Sequence, residues 1–205
     1  MKKSVIIIGL VVLIVIILAG GFYFLNQDNK PGTSNTDTNL NSNPEEVNDY
    51  VGESTTTIHK DFRAIIKNDW QESEIPPSTY FYLPPDVSQE DVNAEVISIA
   101  VTFLGENNQY ILENLLEQGI ENSKKIMPDF ELTENIDWKN KNLIGKKIKF
   151  TGTSEGVKRN SLQVFGIEYN NLYAITYSCP IDNCNSYGIY NSLIENFEPV
   201  KAERK

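Results

Sequence analysis

Histidine is almost missing from this chain: His59 stands alone among 205 residues. A catalytic triad needs an imidazole placed between a nucleophile and an orienting group, and zinc needs several nitrogen or sulfur ligands. His59 sits among Thr and Lys residues with no second His and no Cys nearby, so a surface turn residue is expected. Positive charge is also in short supply. Eighteen Lys and Arg face 28 Asp and Glu, for a net charge of −10 and a pI near 4.6. A nucleic-acid binder needs a basic face, so nucleic acid is not an expected partner. Nor does charge alone draw such a chain to anionic lipid. No Asn-x-Ser/Thr triplet occurs, so glycosylation argues neither way on compartment. No internal repeat is visible.

What the chain does have is a long apolar run at its start. Val5 to Leu25 contains no charged residue and follows Met1-Lys2-Lys3-Ser4. At about 1.5 Å of rise per helical residue the run spans roughly 30 Å, the thickness of a bilayer's hydrocarbon core. A buried core helix would carry a polar stripe, and this run is apolar all round. A cleaved signal peptide is the alternative. Its apolar region is shorter, about 7–15 residues, although Ala19-Gly20-Gly21 offers a small-residue cleavage site. No Cys follows closely, which argues against a lipoprotein anchor. Tyr23, between Phe22 and Phe24, suits the membrane interface. Lys2 and Lys3 precede the run and the next cation is Lys30, so residues 1–4 are expected in the cytoplasm and the rest outside. The expected location is the cell membrane, crossed once, with the lipid bilayer as a partner of the helix at 5–25.

Residues 26–56 are rich in Asn, Thr, Ser and acidic side chains, with Leu40 the only large aliphatic residue before Val47. Such a stretch buries too little apolar surface to offset its ordering entropy and reads as a tether. The remaining body, 57–200, is one domain by length, long enough for a real core, with a short tail at 201–205.

Within that body, Thr55–Ile58 and Phe62–Ile66 read as strands around a turn at 59–61. Ile75-Pro76-Pro77 reads as a break. Thr79–Leu83 is aromatic and β-prone, and residues 86–94 form a polar loop. In Glu95–Phe103, Ile97, Ile99, Val101 and Phe103 alternate with Ser98, Ala100 and Thr102. Both sets tolerate burial, which predicts a central strand covered on both faces. Leu112, Leu115, Leu116, Gly119, Ile120 and Ser123 share one helical face, Lys124 and Lys125 suit the helix C-terminus, and Pro128 ends it. Strands follow at 130–138 and 144–150, a loop at 152–156, and strands at 162–169 and 172–178 joined by an Asn170-Asn171 turn. A last helix carries Tyr190, Leu193, Ile194 and Phe197 on one face and stops at Pro199. The expected fold is α+β: an antiparallel sheet with two main packing helices, preceded by one transmembrane helix.

Four stretches carry a family resemblance. They are Phe62–Trp70, the strand Glu95–Phe103 with its following helix, Asn142–Phe150, and Leu172–Cys179 with the helix that ends at Asn196-Phe197. Together they resemble the PsbP/Mog1-like family over roughly residues 60–200. That resemblance implies an extracytoplasmic, largely non-catalytic accessory domain. It implies no particular ligand, since fold does not set function.

The remaining candidate residues are few. Cys179 and Cys184 enclose Pro180–Asn183. They can form a structural disulfide between strand and last helix, remain free thiols, or serve metal or redox chemistry, although the spacing is not Cys-x-x-Cys. Asp182, Asn183 and Asn185 offer oxygens, too few alone for Ca²⁺, which takes six or more, so a turn is expected. Lys139, Lys141, Lys146, Lys147, Lys149, Lys158 and Arg159 form a cationic stretch, expected as a solvated strand face. Trp70, Trp138, Tyr80 and Tyr82 can line a pocket, with core packing the default. No catalytic, cofactor or metal residue is assigned. The leading expectation is a non-catalytic interaction module with a protein partner. A tethered small-ligand or Ca²⁺ sensor is the alternative, and a hydrolase using scattered carboxylates such as Asp137 and Glu168 is a third reading.

Overall fold

The computed structural model describes residues 53–201 apart from Pro77, Gln89 and 106–110. The apolar run at 5–25 and the tether up to residue 52 lie outside the described residues. Among those described, no helix is long and apolar enough to cross a membrane.

The described residues form ten strands and two helices in the order β1 (Ser54–Ile58), β2 (Phe62–Lys67), β3 (Gln71–Ile75), β4 (Thr79–Leu83), β5 (Val96–Phe103), α1 (Leu112–Ile126), β6 (Glu131–Lys139), β7 (Ile144–Ser154), β8 (Val157–Glu168), β9 (Asn171–Pro180), α2 (Tyr187–Asn196) and β10 (Glu198–Pro199). The strands make two antiparallel sheets. One is three-stranded, in the order β1-β2-β10. The other is seven-stranded, in the order β3-β4-β5-β9-β8-β7-β6. The α+β expectation holds, as one large sheet with a small second sheet packed over it.

β5 lies between β4 and β9, as its doubly apolar alternation predicts. Its odd-numbered residues face β2 and α2. Ile97, Ile99, Tyr173, Ile175 and Tyr177 meet Phe62, Ile66, Tyr190, Leu193 and Phe197 there in one buried cluster. Its even-numbered residues face α1, where Ala100, Ala174 and Phe165 pack against Leu116. The small alanines let α1 approach closely, and Leu115, Leu116, Gly119 and Ser123 are its buried residues. Burying one large aliphatic or aromatic side chain is worth about 1.5–3 kcal/mol, so the two faces hold the helices by apolar contact.

The strands are longer and the turns tighter than the sequence pattern predicts. β7 runs through Gly152 to Ser154, where a loop is expected, and pairs continuously with β8. Only Glu155 and Gly156 turn the chain, both with positive φ (53° and 80°). The next hairpin turns on Tyr169 and Asn170 (φ 50° and 59°) rather than on Asn170-Asn171. Two central residues with positive φ form the hairpin turn that suits strand twist. Asn171 is withdrawn into β9, buried and donating to the Tyr173 hydroxyl. Gln71–Ile75 forms an edge strand where no strand is expected, with only Ile75 falling in the expected break at Ile75-Pro76-Pro77, because β4 supplies its hydrogen bonds. β1 starts at Ser54. Pro199 does not stop α2, which ends at Asn196; it sits in β10, paired with Phe62.

Gly145 and Gly166 oppose each other where β7 crosses β8. A Cβ on Gly145 would fall on the Phe165 carbonyl, and one on Gly166 would stand 2.5 Å from Leu143 Cγ. Neither position has slack, since Leu143 is buried. Gly145→Ala is therefore expected to lower unfolding stability by about 3 kcal/mol, the upper range for overpacking a core, measured by urea denaturation. Gly156→Ala, with nothing within 4 Å, is expected to lose much less, its cost being only the left-handed φ.

Candidate functional site

A buried polar corner of the domain lies where β9 turns into α2. Glu95 precedes β5 and is only 6% exposed. Its carboxylate accepts from the Tyr177 hydroxyl (2.8 Å) and from the backbone N–H groups of Asn185 and Ser186 (2.9 Å each). Those N–H groups belong to the start of α2, where unpaired donors and the positive dipole end both favour an anion. The Cys179–Cys184 disulfide closes the loop just before that helix, with Cα atoms 5.2 Å apart. Of the three fates open to these cysteines, the structure shows the structural bridge. Cys179 is buried and Cys184 exposed.

On the opposite face of β8 and β9, Arg159 sets a second latch. Its guanidinium donates to the carbonyls of Val92 (2.8 Å), Ala94 (2.6 Å) and Ser178, and to the Ser178 hydroxyl. It pins the 86–94 loop over the sheet. Burial is the largest influence on its pKa and pulls it down. Burial likewise pushes the Tyr177 hydroxyl up, with Glu95 adding to the effect, and raises Tyr190 and Tyr82. Tyr80 is pushed up to about 12 by burial and by Glu74, Asp61 and Glu72.

A pocket of about 210 Å³ opens beside the disulfide. It is lined by Lys149, Asn160, Leu162, Tyr177, Cys179, Cys184 and Tyr187. It mixes tyrosine rings and a leucine with one amine and one amide, so it can seat a small group without offering a nucleophile paired to a base. Among the described residues, no group of three or more His, Cys, Asp and Glu side chains is placed to hold a metal ion.

The other candidates fall into three groups. His59 is not solvent-facing. Its side chain is 14% exposed, lies 3.9 Å from the Tyr80 ring centre, shares a hydrogen bond with the Tyr82 hydroxyl and sits 3.5 Å from Glu72. The flanking strands draw it onto the aromatic cluster, a contact that the Thr and Lys around it in sequence do not reveal. Trp70, Tyr80 and Tyr82 belong to the core, with Trp138 packed against it. The cationic stretch divides: Lys146 bonds Asp137 and lies 3.6 Å from Glu113, which raises its pKa, while Lys147 lies 4.0 Å from Glu134. Arg159, expected on the same solvated face, is buried instead. Asp182, Asn183 and Asn185 form a turn, with Asn183 N–H bonded to the Pro180 carbonyl and the Asn185 amide to Asn183. Asp137 and Glu168 are not brought together. They lie on β6 and β8 with β7 between, and Asp137 is spent on Lys146.

Two buried charged residues that fix this corner of the domain escape the sequence pattern. Glu95 reads as the first residue of a strand. The one available signal is an acid directly ahead of a run buried on both faces. Arg159 is hidden by its basic neighbours.

Comparison with family models gives no match, and comparison with curated proteins gives none. Solved structures do match. Cyanobacterial PsbP (CyanoP) from Synechocystis sp. PCC 6803 aligns at TM-score 0.56 and 8% identity, over 77% of this chain and 98% of that one. The Saccharomyces cerevisiae Ran-binding protein Mog1p aligns at 0.53 and 7%, over 74% and 97%. LpqN, involved in cell envelope biogenesis of Mycobacterium tuberculosis, aligns at 0.52 and 12%, over 75% and 94%. A Bacteroides thetaiotaomicron structure that also matches is spanned over only 45% of its length. The domain thus has the PsbP/Mog1-like fold. At these identities the likeness concerns the fold.

Closing so short a loop is worth about 2 kcal/mol by chain entropy. Cys179→Ala/Cys184→Ala is therefore expected to lower stability by about that much in urea, without loss of the sheet's circular-dichroism signal. The buried tyrosines set a second expectation. A group whose folded pKa is raised contributes stability below its unfolded pKa and loses it as pH rises through the folded one. The melting temperature is accordingly expected to hold up to about pH 10, the ordinary tyrosine value, and to fall above it. Absorbance of tyrosinate should show that Tyr82, Tyr177 and Tyr190 ionise only on unfolding.

Proposed function

We propose that this protein is a single-pass membrane protein whose PsbP-like domain stands outside the cytoplasm and serves as a non-catalytic accessory module for a protein partner. The observation that carries the reading is the charge-free run Val5–Leu25 behind Lys2 and Lys3, long enough to span a bilayer and flanked so as to leave the N-terminus inside. The disulfide supports it, because such bonds persist in oxidising compartments. LpqN, a protein of the same fold, is described by its role in cell envelope biogenesis, which agrees with a place at the cell surface. The non-catalytic part rests on the corner at Glu95. Its carboxylate is engaged by three donors and Arg159 by backbone carbonyls, so these two buried groups serve to lock elements together.

Protease added to intact cells should remove a C-terminal epitope, while a cytoplasmic control survives. The intact protein should keep the mass of the uncleaved chain. An epitope that resists until the cells are broken would overturn the topology. A mature chain beginning near Gly21 would replace the anchor by a cleaved signal.

A further inference from the structure

The pocket beside the disulfide lies on the α2 face of the seven-stranded sheet, and strand register shows how it arises. Lys149 of β7, Leu162 of β8 and Tyr177 of β9 are cross-strand neighbours, and in the adjacent row Asn160 stands beside Cys179. On the other side of the Leu162 row, Val164 and Ile175 belong to the buried cluster that holds Tyr190 of α2. That helix begins only at Tyr187. Lys149 and Asn160 therefore stay half-buried, and the space between the strands and the start of the helix is left as a cavity of about 210 Å³.

The chain carries 28 Asp and Glu, yet none of them lines this cavity. Its one formal charge is the Lys149 ammonium. Two carboxylates stand close by, and both are engaged. Glu95 accepts from three donors, the Tyr177 hydroxyl among them, and Glu134, opposite Lys149 on β6, lies 4.0 Å from Lys147. The Tyr177 hydroxyl also accepts from the Ser186 N–H at 3.2 Å, so Tyr177 offers the cavity its ring. Tyr187 adds a second ring and Leu162 an aliphatic surface, and the Asn160 amide stands with Nδ2 3.8 Å from Cys184 Sγ. We propose that this cavity binds a small aromatic monocarboxylate. The carboxylate accepts from Lys149 Nζ and Asn160 Nδ2, a charge-assisted pairing of the strong kind. The ring packs on Leu162 and against the tyrosine rings, offset or edge to face. The volume lies below the roughly 300–1,000 Å³ of drug-sized sites, which limits the occupant to one ring and its substituent. Phosphate fits less well, since it is best met by arginine forks. Arg159 points to the other face and spends its donors on Val92, Ala94 and Ser178.

The inference holds whichever way the chain sits in a membrane, so its test is separate from the topology. The full chain in a non-ionic detergent is titrated with benzoate, and with benzyl alcohol and inorganic phosphate for comparison. Benzoate should shift the backbone amide resonances of Asn160 and Leu162 saturably. Lys149→Met, which keeps the stem and removes the charge, should weaken benzoate about tenfold, the worth of one hydrogen bond to a charged group, and leave benzyl alcohol unchanged. Lys149→Arg should restore binding. Asn160→Asp should weaken benzoate by repulsion, and Tyr187→Leu should weaken benzoate and benzyl alcohol alike, both without a change in the sheet's circular-dichroism signal. Three results would overturn the inference: no saturable shift with benzoate; benzyl alcohol binding as tightly as benzoate, or Lys149→Met leaving benzoate unaffected, either of which would make the cavity an apolar niche only; or phosphate displacing benzoate at equal concentration, which would make it a general anion site.

Discussion

A carboxylate removed from water has to be met by donors, and in this domain Glu95 is met by groups from a segment some ninety residues away. Burying an unpaired charge costs several kcal/mol, so the chain cannot place Glu95 at the head of β5 without also bringing the start of α2 over it. The helix needs an anion at its N-terminus, and no capping side-chain bond is made there by Ser186. Each element therefore completes the other. The Tyr177 hydroxyl joins the same carboxylate from β9, which ties the central pair of strands to the helix at one point.

From that latch the rest of the packing follows. With its start fixed, α2 lays Tyr190, Leu193 and Ile194 against β9 and β2, and Phe197 against Phe62 and Tyr173. Asn140 then holds the far end, donating to the carbonyls of Ile194 and Phe197. The chain continues into β10, beside β2. The disulfide shortens the path between β9 and α2, so the unfolded chain has less freedom to lose. One face of the sheet is thus closed by named polar contacts at both ends of a helix. The other is closed by apolar contact with α1 and by Arg159 over its loop.

Much of this was legible in the order of residues. The alternation in Glu95–Phe103, the helical spacing from Leu112 to Ser123 and the face of Tyr190, Leu193 and Ile194 all mark elements that the structure contains, because period and burial are local consequences of strand and helix geometry. The PsbP/Mog1-like resemblance rested on the same stretches. The errors lie where a partner decides. Gln71–Ile75 is mostly exposed and becomes a strand only through β4. Gly152 reads as a breaker, yet it lies inside β7 with Met127 against it. Tyr169 takes a positive φ that its residue type disfavours, because the register of β8 on β9 leaves only it and Asn170 to turn.

The candidate site divides in the same way. The residues alone placed Cys179 and Cys184 between a strand and the last helix, and marked the charge-free run at the N-terminus, since both depend on neighbours in sequence. Only the folded chain decided that the cysteines are bonded, that His59 is drawn onto aromatic rings, that Arg159 leaves its basic neighbours for the interior, and that Glu95 becomes the anchor of a distant helix. Hydrophobic period acts over a few residues and can be read along the chain. Desolvation of a charge is settled by whatever the fold brings near it.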